Sequence, residues 1–111
     1  MEKLTPKDNQ LIALLEERIV VCDGGMGTEI QKKSLTLDDF LGCEGCNELL
    51  SISRPDIIKD IHASYFAAGA DIVETDSFDS TPLVLDEYNK GKEAFKLNYE
   101  AAKIAKEVAY S

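Results

Sequence analysis

Apolar positions along the chain fall into short blocks whose spacing changes from helical to continuous and back. Thr5 and Pro6 read as an N-cap and a first helical residue, and Leu11, Ile12, Leu14 and Leu15 give a short apolar face ending near Arg18. Ile19, Val20, Val21 and Cys22 then run without a polar break up to Asp23-Gly24-Gly25, the pattern of a strand buried on both faces. From residue 24 to residue 54 the periodicity loosens, apart from one helical turn near residues 28–33. That is far longer than an ordinary βα connection, and loops of such length usually carry function.

Pro55 and Asp56 open an amphipathic helix with Ile57, Ile58, Ile61, Tyr65 and Ala68 on one face and Gly69 at its end. Ala70, Ile72 and Val73 predict a second short strand that stops at Glu74-Thr75-Asp76. Thr81-Pro82 starts a short helical stretch toward Tyr88, and residues 93–108 carry Ala94, Leu97, Ala101, Ile104, Ala105 and Val108 at helical spacing. The order predicts an α/β fold with parallel pairing through right-handed crossovers, in an open doubly wound sheet or a closed barrel. Two strands do not decide between them. No internal repeat or second domain interrupts residues 1–111, so a single domain is expected.

Composition narrows the function classes. With 44% hydrophobic and 30% charged residues the balance is that of a globular chain. The 111 residues suffice for one small domain, well short of the roughly 250 that a closed eight-stranded α/β barrel takes. A net charge of -9 with no basic stripe argues against nucleic acid and anionic membranes as partners. The polar start lacks the pattern of a secretory signal, and three cysteines, an odd number, fit a reduced cytoplasmic protein.

In either α/β architecture the loops leaving the strands form the ligand face, which brings Asp23 and the Glu74-Thr75 pair to one rim. A carboxylate ending an apolar strand needs a cation, a metal or N–H donors to offset its desolvation. Gly24 and Gly25 behind it leave room for a small ligand. Three alternatives stay open for this stretch: a ligand site, a turn in which Asp23 accepts from its own backbone N–H groups, or an anion cradle over residues 24–28. Cys43 and Cys46 form a C-x-x-C without a second pair, which reads as structural more than as zinc or redox chemistry. His62 is expected at a helix edge as a hydrogen-bonded structural imidazole. Asp76, Asp79, Asp86 and Glu87 are expected to face solvent, with hard-cation binding as the rival.

The run Val21-Cys22-Asp23-Gly24-Gly25-Met26-Gly27-Thr28-Glu29-Ile30-Gln31 resembles the opening of the homocysteine S-methyltransferase family, whose hallmark is a strand ending in Asp-Gly-Gly/Ala-x-Gly-Thr. Asn47-Glu48-Leu49-Leu50, Arg54-Pro55-Asp56, Ile61-His62, Tyr65, the 68–75 run and Phe78 continue in that family's order and spacing. Residues 35–40 and Asn47-Glu48 are most similar to its cobalamin-dependent methionine synthase branch. The resemblance implies the leading helix and first two β/α units of a (β/α)8 barrel, incomplete here. Asp23, Gly24 and Gly25 would hold the amino-acid end of homocysteine, and Glu74 and Thr75 would line the pocket.

The resemblance further implies zinc on the substrate sulfur, with methylcobalamin and methyltetrahydrofolate supplying the methyl group from other modules. The family's zinc cysteines match none of Cys22, Cys43 and Cys46, so no metal role is carried onto this chain. Where the family commonly has Asn-Thr-Phe after the threonine, this chain has Asp76-Ser77-Phe78. The expectation is therefore the N-terminal part of a homocysteine-binding domain, inactive alone and prone to self-association, that works with the remaining barrel and the cobalamin and folate modules. Its rivals are a self-contained α/β amino-acid-binding module and a nucleotide-binding half-domain.

Overall fold

The structure is a computed structural model that describes residues 6–111, so the expected Thr5 cap lies outside the described residues. Helix α1 (Pro6–Glu17) opens at Pro6 as the sequence implies. Its expected apolar face is largely uncovered, with Leu11, Ile12 and Leu15 exposed and Leu14 half-buried.

Residues 24–54 hold a succession of short helical pieces. Helix α2 (Gly27–Gln31) buries Ile30, and a 3-10 turn at Leu37–Phe40 is closed by a reciprocal cap between Thr36 and Asp39. A second 3-10 turn, Asn47–Leu49, runs into α3 (Leu50–Ser53). Arg54 leaves helical geometry, and Pro55 restarts the chain as α4 (Pro55–Ala67). Gly69, at φ 109°, turns the chain beyond α4 through a conformation that a side chain would resist.

Helix α5 (Pro82–Leu85) is capped by the Thr81 hydroxyl, which accepts from Val84 N–H at 3.2 Å. Two 3-10 turns, Asp86–Tyr88 and Gly91–Glu93, lead into α6 (Ala94–Ala109). Helix α6 buries Ala94, Leu97, Ala101, Ile104 and Ala105, the face that its periodicity predicts.

The core has two centres. Ile57, Ile58 and Ile61 of α4 meet Ile30, Leu50 and Ile104 in one, and Leu49, Cys46 and Leu85 meet Ala94 and Leu97 in the other. Leu49 and Leu50 are adjacent in sequence and feed different centres, so the junction into α3 ties the two together.

The expected strands require correction. Among the described residues there is no β-strand or sheet: residues 19–22 and 70–73 touch at one isolated parallel bridge, Cys22 with Ile72. Asp23 N–H donates to Ile72 O at 2.9 Å and Ile72 N–H to Val21 O at 3.3 Å. The α/β assignment, two β/α units of a barrel, is thus replaced by a helical arrangement crossed by one bridge. The reason is physical. A parallel strand is stabilised by partners along both edges and cover on both faces. Here each segment has only the other, and Ile19 and Val21 are 86% and 49% exposed.

An ion pair holds these segments beside the bridge. Arg18 Nη1 donates to Asp71 Oδ2 at 2.8 Å, and the same oxygen accepts from Val21 N–H at 2.9 Å. The Arg18 contact, joined by the Val21 N–H, pulls the Asp71 carboxyl down to about 2. The helical core carries the stability. Ile58→Ala, at a side chain with no exposure, is expected to cost about 2–5 kcal/mol in urea unfolding. Phe95→Ala, at an 82% exposed position, is expected to stay within about 0.5 kcal/mol.

Candidate functional site

The bridge brings the ends of two distant segments together, and a cavity of about 320 Å³ opens there. Asp23, Gly24, Gly25, Glu74 and Thr75 all line it. The five residues singled out in the sequence therefore share one concavity, although no sheet brings them there. A single parallel bridge is enough to point both chain directions the same way.

Asp23 links the two sides. Its Oδ2 accepts from Glu74 N–H at 3.1 Å, across 51 residues of chain. Its other oxygen, Oδ1, is buried without a hydrogen-bond partner. The acceptor role expected within its own turn is thus directed to the opposite segment. The Thr75 and Ser77 hydroxyls hydrogen-bond each other, and the Glu74 and Thr75 side chains remain exposed.

The glycines are shaped by Tyr65 of α4. Tyr65 OH donates to Gly25 O at 2.7 Å. A Cβ at Gly24 would lie 3.0 Å from that hydroxyl and 3.2 Å from the ring. The bare backbone lets the aromatic ring brace the loop from behind, so the helix fixes the cavity wall. The anion-cradle reading fares less well, because α2 has only five residues and the Gly25 carbonyl is turned to Tyr65.

The sequence reading gives Glu48 no site role and expects Asp76 to face solvent. Both line the cavity, at 7% and 5% exposure. Glu48 Oε1 accepts from Asp79 N–H at 3.2 Å, and Cys46 Sγ lies 3.9 Å from its Oε2. Asp76 Oδ2 has no partner. Burial first, and the Glu48 charge second, push the Asp76 carboxyl up from 3.8 to about 7, opposed by the Ser51 hydroxyl. Asp76 thus departs from the expected solvent-facing acidic set, whose members Asp79, Asp86 and Glu87 are exposed. The signal available in the sequence was Glu48 itself, a charge set directly before Leu49-Leu50.

His62 also differs from expectation. It is fully buried instead of lying at a helix edge, and neither ring nitrogen has a hydrogen-bond partner. Burial lowers its pKa below 6.5, against the pull of the Asp23 charge. Cys43 and Cys46 are free thiols. Cys46 is buried, and desolvation with the neighbouring Glu48 charge raises its thiol to about 11, which makes it a poor nucleophile. Among the described residues no group of three or more His, Cys, Asp or Glu is placed to hold a metal ion.

Comparison with known proteins agrees with the motifs. The family described as homocysteine S-methyltransferase matches residues 20–111. The methionine synthase of Mycobacterium tuberculosis (strain ATCC 25618 / H37Rv) is 45% identical over 102 residues, covering 92% of this chain and 9% of that protein. The methionine synthase of Mycobacterium leprae (strain TN) is also 45% identical over 102 residues, covering 92% of this chain and 8% of its own. The chain thus spans less than a tenth of the length of these curated relatives.

The raised Asp76 carboxyl gives a stability prediction with a definite sign. Its folded form keeps a proton that the unfolded chain loses from about 3.8 upward, so its contribution is full in acid and declines until about pH 7. Asp76→Asn is expected to remove that decline. Urea midpoints of the variant, relative to the parent, should rise between these two pH values and level off above them.

Proposed function

The chain belongs to the homocysteine S-methyltransferase family, and on that footing we propose that its cavity receives the amino-acid end of homocysteine for methylation to methionine. The observation that carries this reading is the convergence of Asp23, Gly24, Gly25, Glu74 and Thr75 on one cavity. The unpartnered Asp23 Oδ1 offers an acceptor to a substrate N–H group. In the reaction the sulfur of homocysteine forms a bond to the methyl carbon as the bond to the donor breaks, and the thiol proton is lost.

A thiol with a pKa near 8.5 is mostly protonated at neutral pH, which is why zinc suits this chemistry. The described residues of this chain do not fit a zinc site. We assign that ion to the remaining part of the same barrel, and cobalamin and methyltetrahydrofolate as methyl source to further modules of a longer protein. The length of the relatives supports such modules. In this reading residues 1–111 form the N-terminal part of a homocysteine-binding domain, with residues 24–54 as its active-site segment, and are inactive by themselves.

The uncovered apolar side chains Leu15, Ile19 and Val21 favour either contact with such modules or self-association of the chain. Among the described residues no helix is long and apolar enough to cross a membrane. Three free thiols support a reducing, cytoplasmic setting. A second reading is an amino-acid-binding module without catalysis, in which the convergence of Asp23, Gly24, Gly25, Glu74 and Thr75 serves binding alone. It predicts homocysteine binding that chelating zinc leaves unchanged.

Calorimetric titration of homocysteine into the chain within its full protein tests the assignment. Asp23→Asn is expected to weaken binding by about 1.5–3 kcal/mol, the worth of a hydrogen bond to a charged group. An unchanged titration would remove Asp23 from the site.

A further inference from the structure

Cys43 and Cys46 lie outside the cavity lining, yet the fold holds their C-x-x-C in a defined shape. Cys46 N–H donates to Cys43 O at 3.0 Å, which closes a four-residue turn over Glu44 and Gly45. Gly45 has φ 88°, and Glu44 stays out of the positive-φ region. That combination is a type II turn, whose third position takes glycine without strain. Such a turn keeps its first and fourth Cα atoms within about 7 Å, and a disulfide spans Cα separations of about 4.4–6.8 Å.

The two side chains also meet the same neighbours. Cys46 is buried in the apolar centre formed with Leu49, Leu85, Ala94 and Leu97, and Cys43 packs against that centre beside Tyr88. Cys43 Sγ lies 3.9 Å from Tyr88 O. Both thiols are free, and only Cys43 is open enough to meet a reagent from solvent. The desolvation that raises the Cys46 thiol to about 11 keeps it from reacting first.

We propose that Cys43 and Cys46 form a reversible disulfide across this turn by exchange with a small-molecule disulfide. The Cys43 thiolate attacks one sulfur of the oxidant, whose S–S bond breaks and releases one thiol. The Cys46 sulfur, losing its proton, then attacks the Cys43 sulfur and releases the second thiol. Two protein thiols are thereby oxidised by two electrons, the oxidant is reduced to two thiols, and the two protons end on these. Transient disulfides are the kind that a reducing compartment permits.

The assignment does not depend on which ligand the cavity takes, but it reaches the cavity wall. Cys46 Sγ lies 3.9 Å from Glu48 Oε2, and Glu48 Oε1 accepts from Asp79 N–H at 3.2 Å. Both Glu48 and Asp79 line the cavity. Oxidation removes the hydrogen that Cys46 offers to Glu48 and draws the sulfur toward Cys43, which loosens the hold of Glu48 on Asp79.

Glutathione disulfide is the probe, applied to the chain within its full protein and followed by alkylation, trypsin digestion and mass spectrometry. Cys43 and Cys46 share the stretch between Lys33 and Lys59, whereas Cys22 lies between Arg18 and Lys32. Oxidation is expected to abolish both alkylations on the shared stretch without adding glutathione, and dithiothreitol to restore them. At a fixed glutathione concentration, half-oxidation should need about tenfold less glutathione disulfide in the folded protein than in urea, the entropy of one backbone residue already fixed by the turn. Cys46→Ala should stop the reaction at a glutathione adduct on Cys43, and Cys43→Ser should leave the stretch unmodified. Amide exchange at Asp79 should quicken on oxidation.

Two alkylations surviving in the folded protein, a lasting glutathione adduct on Cys43 of the unaltered protein, a cross-link to Cys22, or oxidation as easy in urea as in the folded state would each overturn the proposal. Unchanged Asp79 exchange in the oxidised protein would overturn its link to the cavity.

Discussion

The carboxylate of Asp23 accepts the N–H of Glu74 at 3.1 Å, and beside it Cys22 and Ile72 form the only β-bridge among the described residues. These contacts join pieces of chain that the helices alone would leave apart. One flank is steadied by the Arg18–Asp71 ion pair, and the other by Tyr65, whose hydroxyl holds the Gly25 carbonyl. Take away this junction and the cavity loses one of its walls. A hydrogen bond to a carboxylate is worth more than one between neutral groups, and this one joins segments 51 residues apart.

The same junction sets the electrostatics. Drawing the two segments together carries Asp76 to the wall already occupied by Glu48, and burial does the rest. The cavity lining holds five carboxylates and no lysine, arginine or histidine. A site of this kind favours positively charged ligands before any specific contact is counted.

Much of the helical framework was legible in the sequence because its signals are local. Pro55, Gly69, Thr81 and the spacing from Ala94 to Val108 each act within a turn or two of chain, and the structure places α4, α5 and α6 accordingly. Strand extent is different. The run Ile19 to Cys22 has the composition of a buried strand, yet a strand exists only where neighbours offer hydrogen bonds, and one bridge is all that forms. Asp23, Gly24, Gly25, Glu74 and Thr75 could still be grouped from sequence, because chain direction at a single parallel contact suffices to bring them to one cavity. The burial of Glu48, His62 and Asp76 could not, since it depends on how α3, α4 and the 74–79 segment stack in space.

The family assignment rests on motifs spread over the chain, and the physical account rests on the junction. Amide hydrogen exchange at Glu74 tests that junction most directly. If the Asp23 carboxylate holds this N–H, exchange is slowed well beyond that of the exposed neighbours, and Asp23→Ala restores fast exchange without unfolding α4 or α6. Fast exchange at Glu74 in the unaltered chain, with the helices protected, would contradict the account.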